Sequence, residues 1–107
     1  MVPDRARLTM PFNDALPTMG NVVHGGAIGA LIDTAAAAAA WSAAEVPERP
    51  RASTIGISVN FLAPARASGV SADARVTRRG KDLCFCEVSV TDEAGTQVAN
   101  GLVSYRL

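Results

Sequence analysis

The stretch from Gly25 to Ala44 constrains the fold of this chain more than any other. It holds a six-alanine run at positions 35–40 and a single charged residue, Asp33, near its middle. Alanine has the highest helix propensity, so the segment reads as helix rather than linker. Its length raises the question of a membrane span. Alanine and glycine are only weakly hydrophobic, however, and a carboxylate at bilayer depth is costly, so the segment reads as a helix buried inside protein. A helix that is apolar on most sides needs cover on most sides.

The rest of the chain can supply that cover. Arg5 to Pro11 reads as a first strand, and Asn13 to Asn21 as a loop rich in Asn, Pro, Thr and Gly. His24-Gly25-Gly26 opens the helix, and Pro47 and Pro50 stop it from continuing through Glu45 to Arg51. In Thr54 to Leu62, Ile55, Ile57, Val59 and Phe61 alternate with Thr54, Gly56, Ser58 and Asn60, the period of a strand. Val70 to Arg78, Leu83 to Thr91 and Gln97 to Arg106 follow as strands, joined by Gly80-Lys81-Asp82 and by the hairpin signal Asp92-Glu93-Ala94-Gly95. Short links imply mostly antiparallel pairing. The pattern predicts an α+β fold in which a curved, mostly antiparallel sheet wraps one long central helix, the hot-dog architecture.

At 107 residues the chain fits one domain, 1–107. A domain this short gains from covering a face by self-association. Ten basic and ten acidic residues give a formal net charge of zero, so nothing in the balance points to nucleic acid or an anionic membrane. Cys84 and Cys86 have one residue between them, which is neither a disulfide framework nor a metal knuckle. They read as buried thiols of a reducing cytoplasm. The N-terminal MVPDRARLTMPF carries charges with no apolar stretch after them, so it does not read as a secretory signal.

Asp33 is the most informative residue. Leaving an unpaired carboxylate among alanines costs several kcal/mol (~2–7). Either it lies on an exposed or paired stripe, or it lines a cleft. Gly26, Gly29, Ala30, Asp33, Ala37 and Ala40 recur at three- and four-residue spacing, so Asp33 sits on a face of small residues. Ile28, Leu31, Ile32 and Ala35 form the bulkier opposite face. Such a small-residue face suits close packing or a slender substrate. At the helix start, backbone N–H groups have no intrahelical acceptor and the dipole is positive. His24-Gly25-Gly26 there lets a ligand approach the backbone and stabilises an oxyanion. His24 reads equally as a capping or positioning residue and as a proton-transfer group. One histidine and scattered carboxylates do not make a metal-ligand set, no Gly-rich phosphate loop is present, and no cofactor is implied.

Gly20-Asn21-Val22-Val23-His24-Gly25-Gly26, with Asp33 inside Ala30-Leu31-Ile32-Asp33-Thr34-Ala35, resembles the PaaI-type hot-dog thioesterases, which include phenylacetate-pathway and THEM-like acyl-CoA thioesterases. Ser58-Val59-Asn60-Phe61-Leu62-Ala63-Pro64-Ala65 and Thr77-Arg78-Arg79-Gly80-Lys81 resemble later signatures of the same family. The resemblance implies that Asp33 is general base or nucleophile and that the Gly25 N–H binds the thioester carbonyl. It implies that Thr54 positions water and that His24 arranges the carbonyl site. The family asparagine six residues before the histidine is Thr18 here, which leaves Asn21 as the candidate for its role. Gly26 belongs to the substrate-binding backbone.

These readings converge on hydrolysis of an acyl-CoA thioester to free acid and coenzyme A. The basic cluster Arg78, Arg79 and Lys81 around Gly80, with Arg66 as a further candidate, is the place for the nucleotide phosphates. The alternatives are a hot-dog hydratase or dehydratase on acyl thioesters and a non-catalytic acyl-CoA-binding module. Gly25 and Asp33 lie eight residues apart, about 12 Å along one helix, so one site needs two chains. The expected assembly is a homodimer or a homotetramer of such dimers, with no nucleic-acid or membrane partner.

Overall fold

A computed structural model describes residues 4–11, 17–19, 22–23, 25–42, 53–66 and 68–106. The elements run β1 (Arg5–Met10), β2 (Pro17–Met19), β3 (Val22–Val23), α1 (Gly25–Trp41), β4 (Ser53–Phe61), β5 (Val70–Arg79), β6 (Leu83–Asp92) and β7 (Gln97–Arg106). The five long strands form one antiparallel sheet in the order β1-β5-β6-β7-β4, and α1 packs across it. This is the hot-dog architecture. The segment read as a plain loop contains a small addition, since β2 and β3 pair antiparallel with an irregular register. The helix is described as far as Trp41, so the expected last turn at 43–44 lies outside the described residues.

Burial explains the packing. Ile28, Ile32, Ala35, Ala36 and Ala39 turn one helix face onto the sheet and are almost wholly buried. Against them stand alternate residues of the strands: Ala6, Val70, Ala72, Ala74, Cys86, Val88, Val90 and Val103. Alanines let the sheet approach closely, and Gly101 takes this furthest. A Cβ there would lie 2.7 Å from Ile32 Cγ2. Of the expected small-residue face, Gly26 and Ala30 are exposed and Gly29, Asp33 and Ala37 half-buried. Ala40 departs from it and is buried against Cys84 and Tyr105, because the sheet closes over the helix end. The N-terminal strand is tied to that end too. The Asp4 N–H donates to Ser42 Oγ, and the Val76 N–H donates to the Asp4 carbonyl.

Among the described residues, strand β4 is an edge of the sheet and carries large apolar side chains that nothing covers. Ile57 is 47% exposed and Phe61 58%. Cross-strand pairing with Val103 and Ala99, both buried, places these two side chains on the helix side of the sheet.

Candidate active site

Two elements bring the central pair together. Asp33 lies midway along α1, half-buried, and Thr54 lies at the start of β4. Thr54 Oγ1 donates to Asp33 Oδ1 at 2.5 Å. Strict alternation along β4 would put Thr54 on the opposite face from Ile57 and Val59. A β-bulge prevents this. Thr54 pairs with Tyr105 while Gly56 pairs with Ser104, so Ile55 is an extra residue and Thr54 turns toward the helix. The carboxylate therefore meets a hydroxyl and partial solvent, an arrangement that can orient water beside a base or hold an attacking carboxylate oxygen.

Gly25 begins the helix, where an N–H precedes the first intrahelical hydrogen bond. A Cβ at Gly25 would stand 3.3 Å from the Phe61 ring, so the backbone there is flanked by an aromatic face. Gly26 follows on the exposed side. His24 and Asn21 lie outside the described residues.

The basic cluster is divided by the sheet. A second bulge, between Val76 and Arg78, sets Arg78 opposite Phe85 and Arg79 opposite the buried Cys84. Arg78, Gly80, Lys81, Asp82, Leu83 and Phe85 line a surface cavity of about 460 Å³. Arg79 turns the other way. Its guanidinium donates to Asp4 Oδ1 and, at 3.1 Å, to the Ala40 carbonyl at the end of α1. That carbonyl lies in the last described turn of α1, so the arginine caps the helix end while pairing with Asp4. Sequence proximity alone grouped Arg79 with its neighbours; strand alternation separates it. Arg66 is exposed, outside the cavity lining.

The cysteines are free and buried. Burial pushes the Cys86 thiol up to about 11 and raises that of Cys84, with Arg79 opposing the rise. Neither is a nucleophile at neutral pH. Among the described residues no three His, Cys, Asp or Glu side chains cluster to hold a metal, and no helix is long and apolar enough to cross a membrane.

With this geometry in hand, comparison with known proteins is informative. The model of the thioesterase superfamily matches residues 20–99. A candidate esterase of Halobacterium salinarum is 37% identical over 110 residues, covering 94% of this chain and 72% of its own. The Escherichia coli PaaI protein of the phenylacetic acid degradation operon superposes with a TM-score of 0.86 at 23% identity, over 97% of this chain and 72% of that one. A Streptococcus mutans protein solved with acetyl-CoA gives a TM-score of 0.87 at 21% identity, over 97% of this chain and 81% of the other. Fold and family match thus define a PaaI-like hot-dog protein of the class that hydrolyses acyl thioesters. The chain belongs to the thioesterase superfamily.

Proposed function

We propose that the protein hydrolyses acyl-CoA thioesters to the free acid and coenzyme A, with Asp33 as the central carboxylate. The observation that carries this is the Thr54 hydroxyl on the half-buried Asp33, on a helix otherwise devoid of charge. Asp33 either takes a proton from water as it attacks the carbonyl, or attacks directly to give a mixed anhydride that water then opens. Thr54 holds the carboxylate and the water in line. The N–H at Gly25 donates to the developing oxyanion, with His24 and Asn21, just before the helix in sequence, arranging the carbonyl. The leaving group departs as a thiolate, which needs less protonation than an alkoxide.

Coenzyme A is the thiol because a cationic cavity lies on the same subunit. Arg78 and Lys81 face its phosphates, and Phe85 offers an aromatic surface. Gly80 keeps the turn slim. The acetyl-CoA in the Streptococcus mutans structure supports this choice. The site is completed by a second copy of the chain, in a homodimer or in a tetramer built from two such dimers. The uncovered β4 edge supports that assembly. Two free buried thiols agree with a reducing cytoplasm.

The test is incubation with a panel of acyl-CoA and enoyl-CoA thioesters. Release of free thiol, abolished in Asp33→Asn, is expected. A change in enoyl absorbance without thiol release would instead reveal a hydratase or dehydratase. Binding without turnover would reveal a carrier module.

A further inference from the structure

The chain's one tryptophan and one tyrosine meet beside the site. Trp41 is the last residue of α1, and its indole Nε1 donates to the Tyr105 hydroxyl at 3.0 Å. The two belong to an apolar cluster separate from the main core, in which Ala37, Trp41 and Val76 pack against Ala40, Cys84 and Tyr105. Two facts tie this cluster to the carboxylate. Tyr105 is the direct cross-strand partner of Thr54, so the residue that holds Asp33 and the residue that holds Trp41 stand side by side on one face. On the helix, Ala37 lies about one turn beyond Asp33 and Trp41 about two turns beyond, some 12 Å along the axis. Between the carboxylate and the indole, that side of the helix offers only the half-buried methyl of Ala37.

We propose that the Trp41–Tyr105 pair is the end wall of the acyl-binding slot and restricts the substrate to compact acyl groups. This rests on the thioesterase reading of Asp33. A thioester carbonyl at Asp33 has two directions in which its acyl group can run along the helix. Toward the N-terminus, the Phe61 ring lies against Gly25. Toward the C-terminus, the group passes over Ala37 and stops at the indole. A butanoyl to hexanoyl chain, or one aromatic ring, fits that span. A longer chain has to displace the indole and break its hydrogen bond to Tyr105. The wall is braced from behind: Arg79 donates to the carbonyl of Ala40, the residue before Trp41, and Ser42 Oγ after it donates to the Ala39 carbonyl. The helix end that carries the indole is thereby fixed to Asp4 and to β5.

The experiment is a chain-length profile, kcat/KM for straight-chain acyl-CoAs from acetyl to dodecanoyl, with wild type, Trp41→Ala and Ala37→Val. Wild-type activity should fall steeply beyond hexanoyl. Trp41→Ala should shift the dodecanoyl-to-butanoyl ratio toward the long chain by roughly tenfold or more, the scale on which apolar pockets discriminate methylenes. Ala37→Val fills the slot at a half-buried position and should move the optimum to shorter chains, which keeps the test decisive if Trp41→Ala does not fold. An unchanged profile in a folded, active Trp41→Ala or Ala37→Val protein overturns the wall while leaving the thioesterase intact. No cleavage of any acyl-CoA by wild type overturns the thioesterase reading, and the wall with it.

Discussion

Replacing Thr54 with valine removes one hydroxyl and keeps the branched shape that suits a strand. The lost group donates to Asp33 Oδ1 at 2.5 Å, and the pair is only partly buried. A hydrogen bond to a charged group is worth about 1.5–3 kcal/mol. Water can reach this carboxylate and replace part of the lost donor, so the lower end applies, about 1.5 kcal/mol or roughly tenfold in kcat/KM. Asp33→Asn is a different loss. Asparagine keeps the shape and a carbonyl acceptor for Thr54, but it can be neither base nor nucleophile, and removal of a general base costs roughly 10²–10⁴-fold. Both variants should melt close to wild type. Thiol release from one good acyl-CoA substrate gives the rates, and Thr54→Ser should recover most of the valine loss. Near-wild-type turnover by folded Asp33→Asn would refute the assignment of the carboxylate. A Thr54→Val loss as large as that of Asp33→Asn would show that the hydroxyl does more than position.

The same assay distinguishes the neighbouring arginines. Charge reversal at Arg78 and Lys81 should raise KM for acyl-CoA roughly tenfold, one charge-assisted contact's worth, with little change in melting temperature, whereas Arg79→Ala should lower the melting temperature by freeing Asp4 and the helix end; an unchanged KM in the first variant would remove the cavity as the phosphate site. Gly101→Ala puts a Cβ 2.7 Å from Ile32 Cγ2 and should destabilise by about 1–3 kcal/mol, and a wild-type melting curve would show that sheet and helix can separate there at little cost. With the Cys86 thiol pushed up to about 11 by burial, and that of Cys84 raised by the same cause, native protein at pH 8 should not react with a chromogenic disulfide, and denaturant should expose both thiols. Prompt labelling of the native state would contradict their burial.

Much of the architecture is legible in the sequence because local signals agree with each other there. Alanine propensity defines α1, and turn residues at Gly80-Lys81-Asp82 and at Asp92–Gly95 separate β5, β6 and β7. Alternation fails where the sheet bulges. Thr54 reads as a residue on the face away from Ile57 until one extra residue in β4 turns it onto Asp33. Nothing local in Thr54-Ile55-Gly56 fixes the position of that insertion; pairing with β7 does. Arg78 and Arg79 look like one patch in sequence and are placed on opposite faces by the pleat. The Trp41–Tyr105 hydrogen bond joins residues 64 positions apart and has no sequence signal beyond two aromatic residues in an otherwise aromatic-poor chain. Family resemblance supplied the role of Thr54, which spacing did not.

The two-chain site yields the most demanding prediction. Gly25 and Asp33 open and bisect the same helix, separated by about 12 Å along its axis, so one chain's N–H and carboxylate cannot both reach one thioester carbonyl. A two-fold axis that sets two copies of α1 antiparallel brings Gly25 of each chain opposite Asp33 of the other, and does so twice. The edge strand β4 favours that symmetry. It is nine residues long and, among the described residues, presents Ile57 and Phe61 uncovered on the helix side and pairs with no strand other than β7. Two such edges joined about the axis bury those side chains and continue the sheet from one subunit into the next. Replacing Gly25 with leucine should inactivate a chain by driving a side chain into the Phe61 ring, 3.3 Å from the first added atom. Asp33→Asn should inactivate by removing the carboxylate. Mixed after subunit exchange, the two inactive proteins form heterodimers in which one site has both defects and the other has neither. If exchange is random, half the dimers are mixed and each holds one intact site, so about a quarter of wild-type activity should return. Confirmed exchange with no recovery would mean that each chain carries a complete site, and the distance argument would then require a carbonyl position other than the helix start.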